Sequence, residues 1–124
     1  LVEKNAAKLG FEKIIELKVK NVFEGIDEKN VDAVILDLAD SEKAVSNAFG
    51  CLKENGVLVG YHPNVEQIRT FAEAATTIGF SQERIMEANT RDWLVRYRGC
   101  RPVNTGLTHT AFLSFWRKTN TKPQ

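Results

Sequence analysis

The chain is 124 residues long, 43% apolar and 27% charged, with a formal net charge of +1. That length makes at most one domain with one core, and two cysteines, Cys51 and Cys100, exclude a disulfide-scaffolded secreted fold. No apolar run approaches the roughly 18 residues of a membrane span, no signal peptide is visible and no thiols stand at metal-ligand spacing, so the expectation is a cytoplasmic protein with no membrane partner and no metal. The chain opens on Leu1 rather than Met, as an incomplete or processed N-terminus would.

In chain order, Leu1–Leu9 reads as the end of a helix stopped by Gly10. Ile14–Val19 alternates apolar and charged residues as a strand does, and Asn21–Asn30 is a loop. In Val31–Leu38 the apolar run Ala33–Leu36 ends on Asp37. Such a run reads as a strand buried on both faces, and open α/β sheets bind ligands beyond the carboxyl ends of their strands. Ser41 is placed to cap a helix from Glu42 to Lys53, ended by the Asn55-Gly56 turn. Val57–Tyr61 is a second buried strand, Pro63-Asn64 breaks it, and Val65–Ile78 is an amphipathic helix stopped by Gly79. Glu83–Ala88 and Trp93–Tyr97 read as one long interrupted strand, Tyr97–Leu107 as a loop, Thr108–Trp116 as a final strand, and 119–124 as a flexible tail.

Strands alternating with helices imply parallel βαβ units, and the last two strands, with no helix between them, imply an antiparallel hairpin. Charge is unevenly spread. Residues 91–124 hold seven basic groups and one acid, leaving residues 1–90 with a net charge of −5. A basic C-terminal quarter on an acidic body fits a polyanionic partner, and equally an ordinary solvated surface.

Three segments resemble the C-terminal half of the tRNA adenine-N1 methyltransferases, which form 1-methyladenosine in the tRNA T-loop. Asp32–Glu42 carries an apolar strand followed by Asp-Leu; Gly56–Ile68 carries Tyr61-His62-Pro63-Asn64 and Gln67; Arg101–Lys118 carries an Arg-Pro pair and then His-Thr-Ala-Phe-Leu-Ser-Phe. Arg91-Asp92-Trp93 with Val95 is similar to the family's Arg-x-Trp-x-Val. Two departures stand out. Ala39 and Ser41 replace the family's turn prolines, and Asn21 stands where the family usually has an acid for the cofactor's adenine. An amide oxygen still accepts from an adenine amino group.

The resemblance implies an α/β fold: a partial Rossmann-like sheet of the class I S-adenosylmethionine-dependent methyltransferases, mostly parallel with a C-terminal antiparallel hairpin, lacking the N-terminal strands and the glycine-rich loop. Residues 1–118 would be the C-terminal portion of the catalytic domain. S-adenosylmethionine is the implied cofactor, contacted by Asn21, Val22, Asp37 and Leu38, and tRNA the implied substrate. Asp37 matches the family's catalytic aspartate and Tyr61 the tyrosine beside the transferred methyl; a turn-capping carboxylate and an aromatic roof on the core are the plain alternatives. Asn64 and Gln67 are candidate amide contacts, with a helix cap as the alternative for Asn64, and Arg96, Arg98, Arg101 and Arg117 are candidate phosphate contacts. His109 reads as a structural or subunit-interface residue. Trp93 and Trp116 read as core or interface. With two strands of the full fold missing beside Ala33–Leu38, an apolar strand edge is left bare; this and the family's usual state imply a dimer or tetramer, or a rearranged N-terminal strand. Two other readings stay open: a non-catalytic tRNA-binding paralogue within a hetero-oligomer, and a class I methyltransferase acting on a small molecule.

Overall fold

The computed structural model describes residues 1–104 and 110–119. In chain order its elements are α1 (Val2–Leu9), β1 (Val31–Leu36), a 3₁₀ turn (Ser41–Ala44) running into α2 (Val45–Cys51), β2 (Leu52–His62), α3 (Val65–Ile78), β3 (Phe80–Glu87), β4 (Trp93–Arg96), β5 (Gly99–Pro102) and β6 (Phe112–Lys118). Four strands form one sheet in the order β1-β2-β6-β3, and β4 and β5 form a separate pair. β1 runs parallel to β2, and β6 runs antiparallel to both of its neighbours. Three strands therefore point the same way and β6 opposes them, which is the expected mainly parallel sheet with an antiparallel C-terminal strand.

The period-2 pattern explains which face is covered. In β2, Leu58, Gly60 and His62 are buried, and they lie opposite Trp116, Ser114 and Phe112 of β6. On this face α2 and α3 close a core of Leu36, Val45, Leu52, Leu58, Phe71 and Trp116. The alternate residues Val59 and Tyr61 pair with Phe115 and Leu113 on the other face and keep partial exposure. α3 spans the predicted residues because both of its ends are chemically marked. The Asn64 side chain accepts from the Gln67 amide at 3.0 Å, and Gly79, at φ 117°, donates back to Ala75 and Thr76. Lys118 closes the other helix. Its ammonium donates to the carbonyls of Phe49 and Leu52, each at 2.7 Å, and sits 4.5 Å above the Phe49 ring.

Four expectations are corrected. Ile14–Val19 forms no strand, and its apolar residues are exposed; ion pairs of Lys18 with Glu16 and Glu28 hold the segment instead. The helix placed at 42–53 is a 3₁₀ turn followed by two turns of α-helix ending at Cys51, and the residue at its start is Asp40, with Ser41 making no capping bond. The Asn55-Gly56 turn sits inside β2. Pairing with β1 jumps from Val31↔Leu52 to Ala33↔Val57, so Lys53–Gly56 loop out while Asn55 takes φ 61°. The long interrupted strand is two strands in two sheets. β3 ends at Glu87, and Trp93–Arg96 pairs with Gly99–Pro102, a stretch read from sequence as loop, through a two-residue Tyr97-Arg98 turn. Thr108 and His109, at the start of the expected final strand, and residues 120–124 of the expected tail lie outside the described residues.

Candidate active site

The carboxyl ends of β1 and β2 build the site. Their pairing ends at Leu36↔Gly60, so the next residue on each strand, Asp37 and Tyr61, come side by side beyond the last rung. Leu36 faces the core, and Asp37, one residue on, is exposed. Tyr61 lies on the same side of the sheet, 43% exposed. Among the described residues the Asp37 carboxylate has neither a hydrogen-bond donor nor an ion-pair partner. It is therefore not the turn-capping carboxylate that its position allows.

A second loop stands beside β1. The Asn21 side chain accepts from the Phe23 amide at 3.1 Å and donates to Glu24 at 2.9 Å, an Asx turn. Asn47 of α2 fastens the turn by donating to the carbonyls of Val22 and Phe23, at 2.8 and 3.1 Å. Val22 and Leu36 line one open groove of about 320 Å³ along the outer side of β1, with Ile26, Val34 and Lys20. Asn21 Oδ1 keeps a second lone pair after its bond to Phe23. Asn47 was not singled out from the sequence, although an Asn inside so short a helix is a signal, since the type is disfavoured there unless its side chain has a partner.

Of the remaining predicted residues, Asn64 and Gln67 open α3 directly after β2, at the same end of the sheet, where Asn64 acts as the helix cap. Leu38 is half-buried against the core next to Asp37. Arg96, Arg98 and Arg101 are exposed together on the β4–β5 hairpin, with Tyr97 at its turn fully exposed. Arg117 is not with them. It pairs with Val57 at the opposite end of β2, binding Glu83 at 2.7 Å and the Asn55 carbonyl at 2.9 Å. Trp116 is fully buried in the core, and Trp93 is 59% exposed. Among the described residues there is no cluster of three or more potential metal ligands and no helix long and apolar enough to cross a membrane.

Beneath Tyr61 lies a polar pair that the sequence did not flag. His62 is fully buried, its Nε2 2.9 Å from Ser114 Oγ, and burial holds its pKa below the ordinary value against a smaller opposing pull from Glu42.

A family model described as the tRNA methyltransferase complex GCD14 subunit matches residues 3–111. The chain is 37% identical over 93 residues to the tRNA (adenine(58)-N(1))-methyltransferase TrmI of Thermus thermophilus, a match covering 75% of this chain and 36% of that protein. It is 35% identical over 101 residues to the tRNA (adenine(57)-N(1)/adenine(58)-N(1))-methyltransferase TrmI of Methanocaldococcus jannaschii, covering 81% and 36%. It thus spans about a third of the length of these relatives. Among solved structures, a SAM-dependent O-methyltransferase from Thermotoga maritima superposes with TM-score 0.82 at 27% identity, over 98% of this chain and 46% of that one. The tRNA (m1A58) methyltransferase TrmI of Aquifex aeolicus gives 0.76 at 18% identity, over 96% and 48%.

Proposed function

The chain belongs to the tRNA methyltransferase GCD14-subunit family, its sheet is part of a class I methyltransferase sheet, and we propose that it forms the C-terminal part of an enzyme that methylates N1 of adenine in the tRNA T-loop from S-adenosylmethionine. The observation that carries this is the juxtaposition, just past the last β1–β2 rung, of an exposed Tyr61 and an Asp37 with no partner among the described residues.

The groups on the chain suit both reactants. For the cofactor, the Asn21 turn offers a free amide lone pair and Val22 an apolar wall, next to the carboxyl end of β1. Bound there, S-adenosylmethionine supplies a methyl group activated on a sulfonium. Adenine N1 has a lone pair of its own, so no strong base is needed, and the protein's task is to hold N1 in line with the methyl group while water is kept out. The product ring is a cation. Asp37 at its edge stabilises the developing charge and accepts from the exocyclic amino group. Tyr61 packs its ring against the base or the sulfonium. Arg96, Arg98 and Arg101 present a cationic finger to tRNA phosphates, and Arg117, committed to Glu83 and Asn55, serves the fold.

The reading extends to assembly and place. Among the described residues β1 has a partner on one side only, and its Ile35 is 71% exposed; such an edge supports association of copies into a dimer or tetramer, in the cytoplasm where tRNA is processed.

Asp37→Asn in the full-length protein should lower methyl transfer to a tRNA transcript by on the order of 10²–10³-fold without changing its melting temperature, since the side chain is exposed. Unchanged activity would remove Asp37 from the chemistry. Failure of the wild-type protein to bind S-adenosylmethionine in a calorimeter would leave the non-catalytic tRNA-binding reading in its place.

A further inference from the structure

The β1–β2 ladder stops at Leu36↔Gly60, but the β2–β6 ladder continues to His62↔Phe112. Tyr61 therefore sits on an overhang supported from one side. On the buried face of that overhang the His62 ring does not point straight across to its register partner. It reaches diagonally back to Ser114, the residue opposite Gly60. It stacks edge-on to Phe71 of α3, with centroids 4.7 Å apart and planes at 61°. The diagonal path exists only because residue 60 lacks a side chain. A Cβ there would collide with the ring, coming within 2.7 Å of Cε1 and 2.8 Å of Ser114 Oγ.

The bonding also sets the proton. His62 Nδ1 is buried and has no partner among the described residues. A buried N–H without an acceptor is costlier than an empty lone pair, so the proton belongs on Nε2 and is donated to the Ser114 hydroxyl. Ser114 from β6 and Phe71 from α3 lie against the ring, and Glu42 of the 3₁₀ turn is the charged group whose field acts on it.

We propose that His62 is a positioning residue for the Asp37–Tyr61 site: seated over Gly60 and bonded to Ser114, its ring clamps the overhanging end of β2 and keeps Tyr61 in one orientation. The proposal rests on the methyl-transfer reading above and is tested separately from it. A leucine at 62 fills similar space but cannot bridge the strands, whereas glutamine carries an amide that can donate to Ser114.

The full-length protein is labelled with 3-fluorotyrosine. This chain holds two tyrosines, Tyr61 and Tyr97, and Tyr61→Phe and Tyr97→Phe assign their ¹⁹F signals. In His62→Leu the Tyr61 signal should broaden or split while that of Tyr97 stays put. The kcat for methyl transfer should fall by about tenfold or more with KM for tRNA changed by less than about threefold, and His62→Gln should restore a single Tyr61 signal and most of kcat. A sharp, unshifted Tyr61 signal in folded His62→Leu overturns the proposal, as does a glutamine variant no better than leucine. Should His62→Leu fail to fold, Ser114→Ala breaks the same bond with the packing kept; broadening of Tyr61 there supports the clamp and an unchanged signal overturns it. If the wild type transfers no methyl group while Tyr61 responds as described, the clamp stands and the methyl-transfer reading falls.

Discussion

Two regions of the molecule treat strand-like apolar patterns in opposite ways. Under α2 and α3, Leu58, Phe71 and Trp116 are fully buried. Ahead of β1, Ile14 is 78% exposed and Val19 entirely so. Ile14–Val19 alternates apolar and charged residues and Val57–Tyr61 carries no charge at all, both patterns that suit a strand, yet only the second forms one. What differs is the neighbour. β2 has β1 on one side, β6 on the other and helices on one face, whereas the outer side of β1 meets only an irregular segment and an open groove. An alternating pattern states which side of a strand wants cover; it does not state whether the chain contains the cover.

The largest test of this contrast is a pair of truncations. Phe71→Ala should lose about 3–5 kcal/mol of stability by urea unfolding, and Ile14→Ser should stay within about 0.5 kcal/mol of the parent. Equal losses would break the comparison. A finer test uses the two helix-ending glycines, both left-handed, Gly79 at φ 117° and Gly10 at φ 71°. Gly79→Ala should cost about 1–2 kcal/mol of global stability, because α3 is part of the core. Gly10→Ala should reduce helix content at α1 and leave the main unfolding transition where it was. The smallest effect is in pH. Burial lowers the His62 pKa from its ordinary 6.5, so the unfolded chain binds the proton first. The contribution of His62 to stability is complete above about pH 6.5 and declines as pH falls toward its lower folded value. His62→Leu should flatten the stability profile in that window. The Asp27 and Glu28 carboxyls of the N-terminal region are instead held low by Lys20 and Lys18, so their response belongs to a more acid range. A wild-type profile with no slope just below pH 6.5 would contradict the buried neutral ring.

What the sequence made legible follows the same division. α3 was readable to the residue because Asn64 and Gly79 mark its ends locally, and the Asp37–Tyr61 corner was readable because parallel strands bring their carboxyl ends together. The β4–β5 hairpin was not, since Gly99 and Pro102 carry the composition of a loop and only long-range closure through Tyr97-Arg98 makes them a strand. The expected strand at Ile14–Val19 is an irregular segment tied by Lys18 to Glu16 and Glu28 and does not pair with the open edge of β1. Asn47, and the trio of Gly60, His62 and Ser114, were missed because each works through a contact distant in sequence, 24 residues for Asn47 with Phe23 and 52 for His62 with Ser114.

The place of β6 governs when this sheet can assemble. The last strand in chain order among the described residues is an interior strand of the sheet, lying between β2 and β3 and bringing Trp116 to the core. A growing chain that has already left the ribosome as far as β3 holds β3 with no ladder to the β1–β2 pair and a core without its largest side chain. Contacts so far apart in sequence form late. The sheet is therefore completed by the arrival of one segment, which joins the already paired β1 and β2 to β3.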